Sequence, residues 1–263
     1  MIWCRFSTPG HDVAYGLVED QRVTRVTGSI FGEWARTAQT YALSDVELDV
    51  PVVPGTFYAI GSNYAAHVEE RGKVRGTGAK YYDAPRVGYR ANSALLAHGK
   101  NIVKPLGSGP DFQYEAELVA VIGKRVRRVT PQQARDCIFG WTIGNDVTER
   151  EWQKKDPTNL RGKNADTFKP MGPFIATDCD LATMRTQVFL NGKKLHDFAT
   201  GNMLFDAGTV ISAISQTNTL NPGDVVWLGT DELPQNIVPG DKLDITITGI
   251  GTLSNAVVAE QAE

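Results

Sequence analysis

The sequence predicts an α+β fold that is mainly β. Its 26 glycines and 13 prolines mark frequent turns. Its apolar runs are short, β-branched and bounded by those turns, as strands are. Few segments carry helix start signals, and those are brief. With 263 residues and a hydrophobic fraction of 41%, the chain suits one large domain, or a catalytic domain with a small appendage.

The elements follow in order. Ile2–Phe6, Val13–Val18 and Val23–Val26 read as short strands, and Ile30–Thr40 as a short helix. The run Pro51-Val52-Val53-Pro54-Gly55 is a junction, which divides the chain into a small N-terminal α/β unit, residues 1–53, and a main domain, residues 54–263. Phe57–Gly61 reads as a buried strand, and residues 63–70 as a loop entering a helix. Residues 71–93 are glycine-spotted and irregular, the pattern of a mobile lid. Leu118–Ile122 is a core strand. Pro131–Cys137 looks helical, with Thr130 as N-cap. Phe139–Asn145 returns as a strand, and Asp146–Lys155 reads as a short helix. Gln187–Leu190 meets Asn191-Gly192, a hairpin signal. Val210–Ile214 is helical, and Val225–Leu228 and Leu243–Ile250 are strands.

Composition excludes some classes. The 27 basic and 30 acidic residues leave a net charge of -3, which gives no reason to expect nucleic acid or an anionic membrane as partner. No apolar run approaches a membrane span. The first residues show no basic segment followed by an apolar stretch, so no signal peptide is expected and a cytoplasmic location is. Cys4, Cys137 and Cys179 lack the spacing of a disulfide framework or zinc site and read as plain thiols.

Four constellations could carry chemistry. The first surrounds Tyr114-Glu115-Ala116-Glu117-Leu118. Residues two apart on a strand share a side, so Glu115 and Glu117 would project two carboxylates into one space at the edge of an apolar core. Like charges there call for a cation. With Asp146 they form an all-oxygen set that suits Mg²⁺ or Mn²⁺ rather than zinc. A solvated strand end is the plainer alternative. The second is His67 with Glu70, three apart on a helix and on one face, where a carboxylate can fix the imidazole tautomer and make it a base for water. A surface His–Glu pair is the plainer alternative. His11, His98 and His196 have no such neighbours and read as incidental. The third is Lys163, placed to bind a substrate carboxylate or developing enolate; Lys169 is close enough to share that reading. The fourth is Gly229-Thr230, a strand end that could offer a hydroxyl and a bare N–H to a ligand.

Taken together, these segments resemble the fumarylacetoacetate hydrolase family. The matching residues are Asn63-Tyr64-x-x-His67-x-x-Glu70, Tyr114-Glu115-Ala116-Glu117-Leu118, Asn145-Asp146-Val147-Thr148-x-Arg150-x-x-Gln153, Lys163 with Asp166-Thr167-Phe168 and Gly172-Pro173, and Pro222-Gly223-Asp224 leading to Gly229-Thr230. They occur in the family's order from about residue 54 onward.

The resemblance implies a mixed β-roll or β-sandwich catalytic domain in a homodimer. It implies Mg²⁺ or Mn²⁺ on Glu115, Glu117 and Asp146, catalysis by His67, Glu70 and Lys163, and substrate binding by Tyr64, Gln153, Lys163 and Thr230. The implied partner is a small 2-oxo acid, and the implied activity is hydrolysis of a carbon–carbon bond in a 2,4-dioxo acid from aromatic or sugar-acid catabolism. Isomerase or decarboxylase chemistry, or a catalytically silent binding role, are the alternatives. One departure stands out. Many members continue Gly-Thr with Pro, whereas here Asp231-Glu232 follow. Specificity is expected in that pair and in residues 71–93.

Overall fold

The structure is a computed structural model that describes residues 1–10 and 12–262, with Arg75 described by its backbone alone. His11 therefore lies outside the described residues. A twelve-stranded sheet dominates the fold. From edge to edge it runs Trp34–Ala42, Arg22–Gly28, Ala14–Glu19, Ile2–Ser7, Lys169–Ala176, Ile138–Asn145, Ala116–Ile122, Val225–Trp227, Phe57–Gly61 and Arg86–Tyr89, with Glu47–Leu48 and Leu95–Leu96 attached at the side. A five-stranded sheet runs Lys193–Ala199, Arg185–Leu190, Lys242–Ile247, Gly251–Ala259 and Ile102–Lys104. Both are mixed, with parallel pairs such as Val225–Trp227 beside Phe57–Gly61. The main sheet thus has the expected mainly β, mixed character.

The central strand Ala116–Ile122 is buried along its whole length. Its two faces enter different cores. Ala116, Leu118, Ala120 and Ile122 pack with Val188, Ile245 and Leu253 of the smaller sheet and with Val210 and Ile211 of the helix Ala207–Ser215. Val119 and Val121 pack with Trp3, Phe57 and Trp227. Glu115 and Glu117 share the parity of the second face, so the period of two carries both carboxylates past the end of that core in one direction.

Local signals explain several elements. Thr130 and Gln133 form a reciprocal capping box that starts the helix Pro131–Arg135. Asn191 and Gly192 both take positive φ, 53° and 79°, which lets Leu190 pair with Lys193 across a tight hairpin.

Three expectations are corrected. Residues 30–40 do not form a helix: Trp34–Ala42 is a strand paired with Arg22–Gly28. Trp34 stacks edge-on against buried Trp3 at 4.9 Å, and this pairing overrides the local helical pattern. Residues 71–93 are not irregular throughout. The helix Ala65–Arg75 runs into them, Gly76 caps it with φ 65°, and Arg86–Tyr89 forms the edge strand. Asp146 does not begin a helix. It sits in a turn, Thr148–Glu149 is a short strand, and the helix starts at Arg150. Among the described residues no helix is long and apolar enough to cross a membrane.

The register Glu117↔Gly144 places a glycine over the Trp227 ring. A Cβ at Gly144 would meet three ring atoms at 2.6, 2.7 and 2.8 Å. Gly144→Ala is expected to destabilise the protein by about 1–3 kcal/mol through overpacking. A urea unfolding midpoint equal to that of the wild type would contradict this.

Candidate metal centre and catalytic cavity

Strand register builds the acidic site. Ala116 pairs with Asn145 and Glu117 with Gly144. Asn145 Oδ1 accepts from Glu115 N at 3.0 Å, and Asp146 N donates to Glu115 O at 2.9 Å. Asp146 is therefore tied directly beside the two glutamates. One oxygen from each of Glu115, Glu117 and Asp146 lies within 4.8 Å of the others, and all three residues are buried.

Five cations surround the triad, with Arg71 the most distant at 3.9 Å from Glu115 Oε1. Lys163 Nζ donates to Glu115 Oε2 at 2.6 Å and to Asp146 Oδ2 at 2.7 Å. Arg150 Nη2 donates to Glu115 Oε1 at 2.5 Å. Arg90 reaches both Asp146 oxygens, at 3.2 and 2.8 Å. Lys169 Nζ lies 2.7 Å from Asp146 Oδ1 and also donates to the carbonyls of Val147 and Phe168. Burial would raise the Glu115 and Asp146 pKa values. Arg150 and Lys163 outweigh it at Glu115, and Arg90, Lys163 and Lys169 do so at Asp146, so both are held below the usual range. Burial pushes Lys169 down to about 7, against the pull of Asp146.

Glu117 differs. Among the described residues no cation pairs with it, and its Oε2 accepts only from Gly229 N, at 2.9 Å. Burial, then the charges of Asp146 and Glu115, push its pKa up to about 8. A divalent cation fits this set. The donors are hard oxygens, they converge, and the least compensated carboxylate is one of them. Glu115, Glu117 and Asp146 are the residues that would hold it.

A cavity of about 660 Å³ opens over the triad. His67, Arg71, Arg90, Gln153, Lys163 and Thr230 line it with the three acids. Lys163 ends the short helix Leu160–Lys163, and Gln153 lies on the helix Arg150–Lys155. Gln153 Oε1 accepts from Arg150 Nη1 at 3.1 Å. His67 lies on the helix Ala65–Arg75 and is 6% exposed. Its Nδ1 donates to the backbone carbonyl of Glu232 at 2.6 Å. Burial lowers the His67 pKa, with Glu115 opposing, which favours the neutral ring.

Two expected site residues stand elsewhere. Glu70 does not pair with His67. It is bound by Lys73 at 2.5 Å on the outer side of the helix, 45% exposed. Tyr64 does not line the cavity. Its hydroxyl donates to the Thr200 carbonyl at 2.6 Å, and the ring is fully packed. Asp231 and Glu232 are also absent from the cavity wall. Arg90 and Arg150 earn a place that the sequence reading had not given them, and Lys169, read beside Lys163 as a substrate binder, is found bonded to Asp146 and two carbonyls. Each lay within a segment already singled out, but nothing local marks a cation as the partner of a distant acid.

A family model described as fumarylacetoacetate (FAA) hydrolase C-terminal matches residues 56–258, and one described as Rv2993c-like, N-terminal, matches residues 1–51. The chain is 37% identical over 231 residues to Protein Rv2993c of Mycobacterium tuberculosis, across 87% of this chain and 84% of that one. It is 31% identical over 243 residues to the oxaloacetate tautomerase YisK of Bacillus subtilis, across 86% and 79%. Among solved structures, the 5-carboxymethyl-2-hydroxymuconate delta-isomerase from Mycobacterium smegmatis superposes with a TM-score of 0.89 at 34% identity, covering 99% of this chain and all of that one.

Glu117→Gln keeps the shape of the site and removes its least compensated charge. Mn²⁺ affinity, read from the free-ion electron paramagnetic resonance signal, is expected to fall by more than about 100-fold, since loss of a mere outer partner already costs up to that. Unchanged affinity would remove Glu117 from the ligand set.

Proposed function

The chain belongs to the fumarylacetoacetate hydrolase family, and on that footing we propose that it is an enzyme of 2-oxo acids that moves a proton at the carbon beside the oxo group. The product of that step is the enol or a shifted double bond. The observation that carries this reading is a buried, neutral imidazole on the wall of a cation-lined cavity, next to the acidic triad.

A Mg²⁺ or Mn²⁺ on Glu115, Glu117 and Asp146 would act as a Lewis acid on the substrate's oxygen atoms. The chain's own groups do the rest. Lys163 gives two N–H bonds to Glu115 and Asp146, which leaves its third donor for a substrate carboxylate. Gln153 uses its carbonyl on Arg150, which leaves its NH₂ for another substrate oxygen. Thr230 adds a hydroxyl to the same wall. The His67 Nδ1–H is already donated, so Nε2 holds the free lone pair. Nε2 takes the proton from carbon and returns it to carbon or oxygen at the other end of the enolate.

Proton transfer is ranked first because His67 has no carboxylate partner, which a base for water would be expected to use. It also accords with the names tautomerase and isomerase given to relatives at 31% and 34% identity. Hydrolysis of a 2,4-dioxo acid is the second reading. The cavity favours it, because its size leaves room for an acyl group and a water beyond the 2-oxo acid. In that case His67 Nε2 takes its proton from water instead.

The test is an ultraviolet assay of the Mg²⁺-loaded protein on a panel holding the enol of oxaloacetate, hydroxydienoates and acylpyruvates. Isomerisation without cleavage is the expected result; cleavage of acylpyruvates alone would select the second reading. His67→Ala is expected to lower kcat by about 100- to 10,000-fold, with little change in KM. The neutral ring is the active form and its pKa is depressed. Activity should therefore persist as pH falls and be lost through a value below the usual His figure of about 6.5. An acid limb above that figure, or full turnover by His67→Ala, would reject His67 as the base.

A further inference from the structure

The Asp231-Glu232 pair follows Gly-Thr where many family members have Pro, yet neither residue lines the cavity. Glu232 is buried instead, with its side chain fully enclosed. Burying a carboxyl is costly unless its hydrogen bonds are met. No ammonium or guanidinium group pairs with it among the described residues, and its nearest basic neighbour is His196 Nε2 at 3.8 Å. An acid kept at that expense, and not used on substrate, calls for a reason.

Its contacts supply one. Glu232 Oε1 accepts from Ala116 N at 2.9 Å, and Ala116 stands between the two triad glutamates. Of the triad strand, Val225–Trp227 pairs only with Val119–Val121, and Leu228 N makes one further bond to Leu118 O. Beyond that the neighbouring chain turns away. The Ala116 N–H points to the same side as Leu118 O, because alternate residues of a strand do, and would be left without a ladder partner. The Glu232 carboxyl takes the place of the missing strand. At the other end of the same turn, Gly229 N donates to Glu117 Oε2 at 2.9 Å.

The backbone of the same residue holds His67. Nδ1 lies 2.6 Å from the Glu232 carbonyl oxygen. A carbonyl can only accept, so Nδ1 carries the hydrogen and Nε2 the lone pair. Glu232 thus grips the imidazole with its main chain and the triad strand with its side chain. Glu70, which helix spacing would have chosen for this task, is engaged with Lys73.

We infer that Glu232 is the positioning residue of His67: it fixes the imidazole's tautomer and its placement relative to Glu115 and Glu117. The inference rests on the reading of His67 as the proton carrier. Glu232 acts through His67 and touches no substrate.

The experiment compares wild type, Glu232→Ala and Glu232→Gln as full-length, Mg²⁺-loaded proteins. Long-range proton–nitrogen correlation spectra of ¹⁵N-histidine protein report the tautomer, and His67→Asn assigns the His67 signal. Wild type should show the Nδ1–H tautomer alone. Glu232→Ala should show mixed tautomers, a kcat lower by about 10- to 100-fold, as small misplacement of a catalytic group produces, and KM and Mn²⁺ affinity within about threefold. Glu232→Gln keeps an acceptor for Ala116 and should restore both the tautomer and kcat.

An Nε2–H tautomer in wild type would overturn the inference, and that measurement needs no variant to fold. So would a Glu232→Ala protein with a wild-type tautomer signal, whatever its kcat, because Glu232 would then be a stability residue only. If no substrate in the panel is turned over, the proposed function fails, while the spectra still decide whether Glu232 sets the ring.

Discussion

The backbone register between Ala116–Ile122 and Ile138–Asn145 is the constraint on which the site depends. It is held by a ladder that is regular from Ala116, facing Asn145, to Val121, and it closes with the Glu115 and Asp146 main chains bonded to each other. A slip of one residue would turn Glu117 into the aliphatic core and Leu118 toward the cations. Both faces of the strand are buried in different clusters, so neither core would tolerate the exchange. The packing that stabilises the fold therefore also fixes where three acids meet. The same packing leaves no room opposite Glu117 for anything but glycine, since Gly144 lies on the Trp227 ring.

The cavity is completed by elements remote from that ladder in sequence. The helix Ala65–Arg75 brings His67, the turn after Trp227 brings Gly229 and Thr230, and the short helix Leu160–Lys163 brings its terminal lysine. His67 is tied to the Glu232 carbonyl, and the other two elements are attached by polar bonds to the acidic strand or to its neighbour. Gly229 reaches Glu117, Glu232 reaches Ala116, and Lys163 reaches both Glu115 and Asp146. The catalytic groups are thus referenced to one strand, Lys163 directly and His67 through Glu232.

Much of this was legible in the sequence, and the reason differs from residue to residue. Glu115 and Glu117 were readable because a period of two is strict on a strand and the apolar run beside them is unambiguous. The Thr130 cap and the Asn191-Gly192 turn were readable because their chemistry is local. The His67–Glu70 pair was misread for the converse reason. Spacing of three on a helix permits a contact but does not compel it, and Glu70 found Lys73 while His67 found a carbonyl 165 positions away. Residues 30–40 were misread because strand pairing with Arg22–Gly28 and the contact of Trp34 with Trp3 are tertiary facts. The roles of Arg90, Arg150 and Lys169 were invisible because a cation's partner depends on folding, not on neighbours in the chain.

The electrostatics of the triad explain why its members are not equivalent. Glu115 and Asp146 are saturated with lysine and arginine, which stabilises their charged forms despite complete burial. Glu117 shares their cavity but not their partners, so the same burial, added to the fields of two ionised neighbours, drives it the other way. A proton is one remedy for that excess and a cation in the common space is the other. A further lysine could neutralise Glu117 as well, but it would fill the cavity and leave nothing for substrate to bind. A small ion with open coordination positions relieves the same strain while keeping the space above it free. The unequal distribution of basic residues around three equally buried acids thus points to where a metal would be most needed.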